Sequence, residues 1–382
     1  MSGLRLAAIL VVVAVGVFGG GFVGAATAQE EITDWTDLQG MEDDLSGDYV
    51  LANDLDENSP GYDTVVGNGG FEPVGGLEPF KGTFDGQQHT ISGLIITNAE
   101  YNAGLFGRTS DAKIENVVLA DVTVSATDNR IYSTGGLVGN NNGEIRKVTV
   151  SGSIEGGGNT GGISGQNDGT VTESYTTATV TSTSSSYDAG GLAGQNTGTV
   201  EDSYAAGDVS GGDTAGGLVG DDNGEGTVTD SYWDSSSASE SVGGKKRSTE
   251  EMTGANAPQS MDGFAFTSTW HATDSYPVFA WQNTEPYFGV AIENTNSPVE
   301  IGDALTTTAS VTNWGADGSG TVTLTDTDFE GQQRDSAVIS PASGTAEDVD
   351  LSWTTDSQDV GSGAITVSSG DDEATETVRV ID

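Results

Sequence analysis

The sequence predicts an all-β protein, a β-solenoid of stacked rungs followed by a smaller β-sandwich. Three observations carry this. The first is a repeated phrase of glycine, asparagine and one aliphatic residue. "GGLVGNNNGEIRKVTVSGSI" at 135–154 is followed by "GGISGQNDGTVTESYTTATV" at 161–180, "GGLAGQNTGTVEDSYAAGDV" at 190–209 and "GGLVGDDNGEGTVTDSYWDS" at 216–235. The second is the spacing of apolar residues within each copy, too sparse for a helix stripe and too regular for disorder. The third is a change of pattern after residue 286. There the glycines give way to alternating segments such as "LTTTASVTN", "GTVTLTDT" and "GAITVSS", at the spacing of sandwich strands.

Residues 1–28 have the form of a secretory signal, with Arg5, an apolar stretch, and Ala26-Thr27-Ala28 as a cleavage site. Gly19, Gly20 and Gly21 interrupt the apolar run, which favours a cleaved leader over a retained anchor. Asp34 then caps a short helix from Trp35 that turns Leu38, Met41 and Leu45 to one side, as a lid on the first rung. Aligning the copies places Leu105, Leu137, Ile163, Leu192 and Leu218 in one inward column. Ile145, Val171 and Val200 follow eight residues later, and Ile154, Val180 and Val209 seventeen later. One rung buries only three such side chains and cannot stand alone. Rungs stacked about 4.8 Å apart pair every strand and join the cores.

Four residues after the aliphatic position stand Asn141, Asn167, Asn196 and Asp222, and a glycine follows two further on. This column is expected to form an amide ladder in a corner, because asparagine tolerates left-handed turns and bonds to its copy one rung away. A row of ligand-binding amides is the alternative. Length varies at 155–160, 181–189 and 210–215, the corner where binding specificity is expected. In the last copy Val228 arrives two residues late. Ser248 and Glu251 have capping-box spacing, and aromatics at 269–281 supply a closing cap, with His271 beside Trp270 as packing rather than catalysis. The expected division is 1–28, 29–285 and 286–382.

"GGLVGxNxG" followed by "SYxxGxV" resembles the GLUG motif of secreted bacterial and archaeal surface proteins. "FKGTFDGQQHTISGLII" at 80–96, "AGLFG" at 103–107 and "DWTDLQGMEDDLSGDYVLANDLD" at 34–56 are similar to segments that precede it. The resemblance implies a right-handed β-helix placed outside the cell. Residues 286–382 resemble CARDB-type Ig-like modules, which implies an adhesion or presentation role.

Fifty-eight acids against 12 bases give a formal charge of −46. Such a chain repels itself in dilute buffer, but at molar salt the Debye length falls to about 3 Å and the carboxylates hold water. This composition suits a halophile, and argues against nucleic acid or an anionic membrane as partner. There is no cysteine and only two histidines, which excludes thiolate and histidine-rich sites. Calcium is the one cation weighed, at Asp54, Asp56, Glu57 and Asp63 and at Asp221, Asp222 and Glu225; neither group has EF-hand spacing. A polysaccharide lyase or hydrolase needs convergent carboxylates beside a base such as Arg108, Arg130 or Arg146, and no inward acidic column recurs. The basic "GGKKR" at 243–247 reads as a solvated loop. No catalytic residue, cofactor or metal is assigned. The expected role is an extracellular, non-enzymatic scaffold or adhesion protein without a membrane span in its mature form, meeting a cell-surface glycan or protein. The alternative is a carbohydrate-binding or polysaccharide-processing β-helix.

Overall fold

The computed structural model describes residues 29–382 except Asn68, Asn98 and Asn129; the leader read over 1–28 lies outside the described residues. The repeats wind into a β-solenoid. One parallel five-stranded sheet stacks Phe106–Arg108, Val138–Asn141, Ser164–Asn167, Ala193–Asn196 and Val219–Asp221. A second stacks Asn102–Ala103, Ser133–Gly135, Asn159–Gly161, Ala189–Gly190 and Ala215–Gly216. A third and larger sheet contains the long strands Lys113–Ala126 and Glu144–Gly156, which bend round the remaining sides.

Leu105, Leu137, Ile163, Leu192 and Leu218 are all fully buried. Ile145 pairs with Val171, Val171 with Val200 and Val200 with Val228. The two extra residues before Val228 are therefore taken up in the turn, where Glu225 and Gly226 bond back to the Asp222 carbonyl at 3.0 and 3.4 Å. Glycine recurs because neighbouring backbone leaves no room. A Cβ on Gly169 would fall 2.1 Å from the Gly143 oxygen, and one on Gly198 2.0 Å from the Gly169 oxygen.

At the first end, Asp34 accepts from the amides of Thr36 (2.7 Å) and Asp37 (3.0 Å) and caps the helix Trp35–Gly40. Trp35, Leu38 and Met41 are buried, while Leu45 lies past the helix and is only partly covered. The other end is not closed by the aromatics of 269–281. Residues 238–244 cover it: Gly217 donates to the Glu240 carbonyl at 2.8 Å and Val242 to that of Val219 at 3.0 Å. The aromatic segment lies along the flank instead. There Trp270, Phe264 and Phe279 cover outward-facing Tyr175 and Tyr204, whose rings stack at 4.9 Å. Packed there, the rings bury large apolar area against the two tyrosines. The Ser248–Glu251 box forms, Ser248 donating its amide to Glu251 Oε2 at 2.7 Å and Glu251 its amide to Ser248 Oγ at 3.2 Å.

The remaining strands form a sandwich. Antiparallel Phe288–Thr295, Ala304–Asn313 and Ala346–Thr354 face a five-stranded sheet built on Glu373–Ile381, Gly361–Ser368 and Gly320–Thr325. Leu305, Val311, Leu324, Leu351 and Ile365 fill its core. At one edge Arg334 meets buried Asp326 and Asp359, the latter at 3.0 Å.

Candidate functional site

Asn141, Asn167 and Asn196 are fully buried and linked in series. Asn141 Nδ2 donates to Asn167 Oδ1 at 2.8 Å, and Asn167 Nδ2 to Asn196 Oδ1 at 2.7 Å. Thr109 Oγ1 donates to Asn141 Oδ1 at 2.8 Å and begins the row. Asp222 does not continue it. A carboxylate could accept from Asn196, but the widened turn moves Asp222 outward, where it accepts from the Gly224 amide at 2.7 Å instead. Nor are these asparagines left-handed. A left-handed column does recur elsewhere, through Asn116, Lys147, Glu173, Asp202 and Asp230, six places after the ladder in the regular copies. Buried amides this well partnered have nothing left to offer a ligand.

The open chemistry lies on the outside. Where the first two sheets meet, Gly139, Gly165, Gly194 and Gly220 of the first sheet face the backbone of the second. A Cβ on Gly139 would stand 2.7 Å from Asn102 Cβ, and one on Gly194 2.5 Å from the Thr160 nitrogen. Glycine therefore lets the two outer faces close into a concave corner. A polar column runs along one wall, where Arg108, Asn140, Gln166, Gln195 and Asp221 are partners in successive rungs. Asn102, Ser133 and Asn159 line the other. At the first rungs the corner widens into a cleft of about 420 Å³, bounded by Tyr101, Tyr132, Leu77 and Arg108. Tyr101 and Tyr132 are 44% and 58% exposed, and their rings lie parallel within 13° at 6.5 Å.

Sequence reading places binding specificity at 155–160, 181–189 and 210–215, and these segments follow the same rim as Tyr132. They are less loop-like than expected. Thr181 and Ser182 belong to the strand Thr179–Ser182 and pair with Ser210 and Gly211. Tyr101 and Tyr132 lie outside the aligned repeat copies, so no repeat position marks them.

Two other surfaces carry titratable groups. Glu173, Asp202 and Asp230 occupy the left-handed column, with Arg146 held by Glu173 at 2.6 Å. Burial, then Glu201, Asp230 and Glu173, push the Asp202 carboxyl up to about 6. Arg130 is held by Asp128 at 3.0 Å, so Arg108, Arg130 and Arg146 do not converge. "GGKKR" is no loop: Lys245–Arg247 is a strand beside Tyr232–Asp234, and Lys245 contacts Asp230 and Asp262 at 3.2 and 3.0 Å. His271 is buried, with Nδ1 2.9 Å from the Asn283 carbonyl. Among the described residues no group of three or more histidines or acids is arranged to hold a metal ion, and no helix is long and apolar enough to cross a membrane.

The GLUG motif matches residues 185–210. Halomucin of Haloquadratum walsbyi is 30% identical over 314 residues, which is 69% of this chain and 3% of halomucin. The chain thus spans a small fraction of that protein's length. Among solved structures, the CARDB domain of a Pyrococcus furiosus protein is 17% identical, with 26% of this chain and 96% of that one covered and a TM-score of 0.22. A β-glucosidase from Listeria innocua is 12% identical over 29% of this chain and 18% of the enzyme, with a TM-score of 0.23. Neither likeness bears on the cleft.

Proposed function

We propose that this chain, a GLUG-motif repeat protein, is a non-catalytic scaffold or adhesion protein exposed at the surface of a halophile's cell. One observation carries the reading: the polar and aliphatic residues that recur from copy to copy are buried and serve the stack. The aliphatic column and the Asn141–Asn196 ladder are wholly buried, and Ser174, Ser203 and Ser231 form a further buried row, Ser174 N donating to Ser203 Oγ at 3.1 Å and Ser203 N to Ser231 Oγ at 3.2 Å. Repetition thus builds length, and outer positions are left to differ from rung to rung. The halomucin likeness over 69% of the chain and the excess of 46 negative charges support a halophile's exterior. Carbohydrate binding is a second reading, favoured by the Tyr101–Tyr132 cleft, and compatible with the first because an adhesion protein must hold something.

The test is protease shaving of intact cells of a halophilic host that expresses the chain. Release of its peptides without lysis is expected, and protection until lysis refutes surface exposure. The secreted protein should release neither reducing sugar nor unsaturated uronate from a polysaccharide panel. Release abolished by one Asp or Glu substitution would replace the scaffold with an enzyme.

A further inference from the structure

We propose that the cleft at the concave corner binds an acidic polysaccharide, stacking a pyranose ring on Tyr101 and Tyr132 while Arg108 grips the carboxylate or sulfate of that unit. The inference deepens the surface reading above and rests on it only in assuming that the chain meets glycans outside the cell.

Three features converge. Tyr101 and Tyr132 offer parallel, exposed rings one rung apart, on backbones joined where Tyr132 N donates to the Tyr101 carbonyl at 2.8 Å. A tyrosine ring turns on only two χ angles, so it buries apolar area on contact at little cost in side-chain entropy. Asn102, Asn140 and Gln166 line the floor between them and Arg108. Amides both donate and accept, as sugar hydroxyls do. Arg108 supplies the charge. In a chain with 58 acids, Arg130, Arg146 and Arg334 each hold a carboxylate, yet none lies within 4 Å of the Arg108 guanidinium among the described residues. A guanidinium forks two parallel N–H groups toward an oxyanion, a geometry that fits carboxylate and sulfate alike.

The corner continues beyond the cleft along the solenoid axis, past Gln195 to Asp221. The occupant is therefore a chain rather than a single sugar. Its anionic unit belongs at the Arg108 end, since the far end is acidic. Net negative charge does not forbid this. In molar salt, repulsion from the rest of the protein dies within about 3 Å, whereas ring stacking and a paired hydrogen bond act at contact.

The experiment is calorimetric titration of the full-length secreted protein in about 4 M salt with a polyuronate, a sulfated glucan and neutral dextran. At least one acidic polymer should bind and dextran should bind at least tenfold more weakly; whichever acidic polymer binds identifies the anion. Arg108→Gln and Tyr132→Ala should each weaken that binding tenfold or more, whereas Arg146→Gln, which breaks the Glu173 pair on the acidic flank, should leave it unchanged. Both tested side chains are exposed, so unaltered circular dichroism and thermal midpoint separate lost contact from lost fold. No binding by any polymer, equal binding of dextran, or wild-type affinity in both variants overturns the inference. Such a failure with cell shaving still positive leaves the surface reading in place, and binding without shaving removes the surface reading alone.

Discussion

Replacing Asn167 by Asp tests the solenoid's interior at one atom. Asn167 is fully buried in the middle of the ladder; Nδ2 donates to Asn196 Oδ1 at 2.7 Å and to the Thr199 carbonyl at 3.2 Å, and Oδ1 accepts from Asn141 at 2.8 Å. Asp keeps the shape and the acceptor. Ionised, it loses the donor and aims negative charge at two oxygens. Protonated, it regains one O–H and can restore the link to Asn196. Full burial raises a carboxyl pKa by roughly three units over the unfolded value near 3.9. At about 1.36 kcal/mol per unit, the deprotonated unfolded chain is favoured by about 4 kcal/mol at pH 7. The folded state holds its proton to higher pH than the unfolded one. The penalty is therefore small below about pH 4 and grows as the pH rises to about 7. The assay is urea denaturation of wild type and variant at both pH values in high salt, followed by circular dichroism. The general response of the other acids appears in both proteins and cancels in their difference. A midpoint difference that is the same at pH 4 and pH 7 would refute the buried ladder.

Gly194→Ala should cost more than Gly224→Ala, because its Cβ falls 2.5 Å from the Thr160 nitrogen while Gly224 (φ +74°) has nothing within 4 Å; about 1–3 kcal/mol of overpacking is expected against about 1 for the left-handed turn, and equal urea midpoints would contradict the concave corner. Arg334→Leu strands buried Asp326 and Asp359, so the sandwich should lose about 3–5 kcal/mol, with hydrogen exchange unchanged over 135–235; unaltered exchange in 320–367 would count against it. Asp202→Asn should stabilise at pH 8, because burial and then its acidic neighbours raise the carboxyl to about 6 and its stabilising proton is lost as pH rises from about 4 through 6; a midpoint gain as large at pH 3.5 as at pH 8 would refute this. Dilution from about 4 M salt should progressively remove the β signal in circular dichroism as screening fades, and full retention in dilute buffer would show that the acids serve another purpose.

Much of the fold was legible because a solenoid writes its period into the chain: one aliphatic residue per copy is enough to align Leu137 with Ile163 and Leu192. Composition shifts likewise marked where the sandwich strands begin. The reasons for individual residues were harder to read. Asparagine and glycine are ordinary turn-formers, so the sequence points to left-handed corners. In fact the asparagines are buried for each other's amides, and Gly169 and Gly198 are glycine because the rung beside them sits 2.1 and 2.0 Å from where a Cβ would be. Those distances follow from stacking and have no local signature. The left-handed column six places later holds Lys147 and Glu173 beside Asp202, and no turn rule would select the first two.

The cleft shows why recurrence and function separate in such a chain. A position repeated in every rung is constrained by the copies on both sides, so changing it disturbs two interfaces. Leu192, Asn167 and Gly194 are held in this way. A position on the outer corner has no such duty: the column reads Arg108, Asn140, Gln166, Gln195 and Asp221 without disturbing the ladder one residue further on. Aligning the copies therefore finds what the stack needs and averages away what a ligand would touch. Tyr101 and Tyr132 sit in the rungs where the repeat is least regular, and Gly158 replaces the tyrosine one rung on, its Cβ position only 2.2 Å from the Tyr132 carbonyl. Recognition in this architecture belongs to the residues that break the repeat, at a corner whose shape the repeated glycines create.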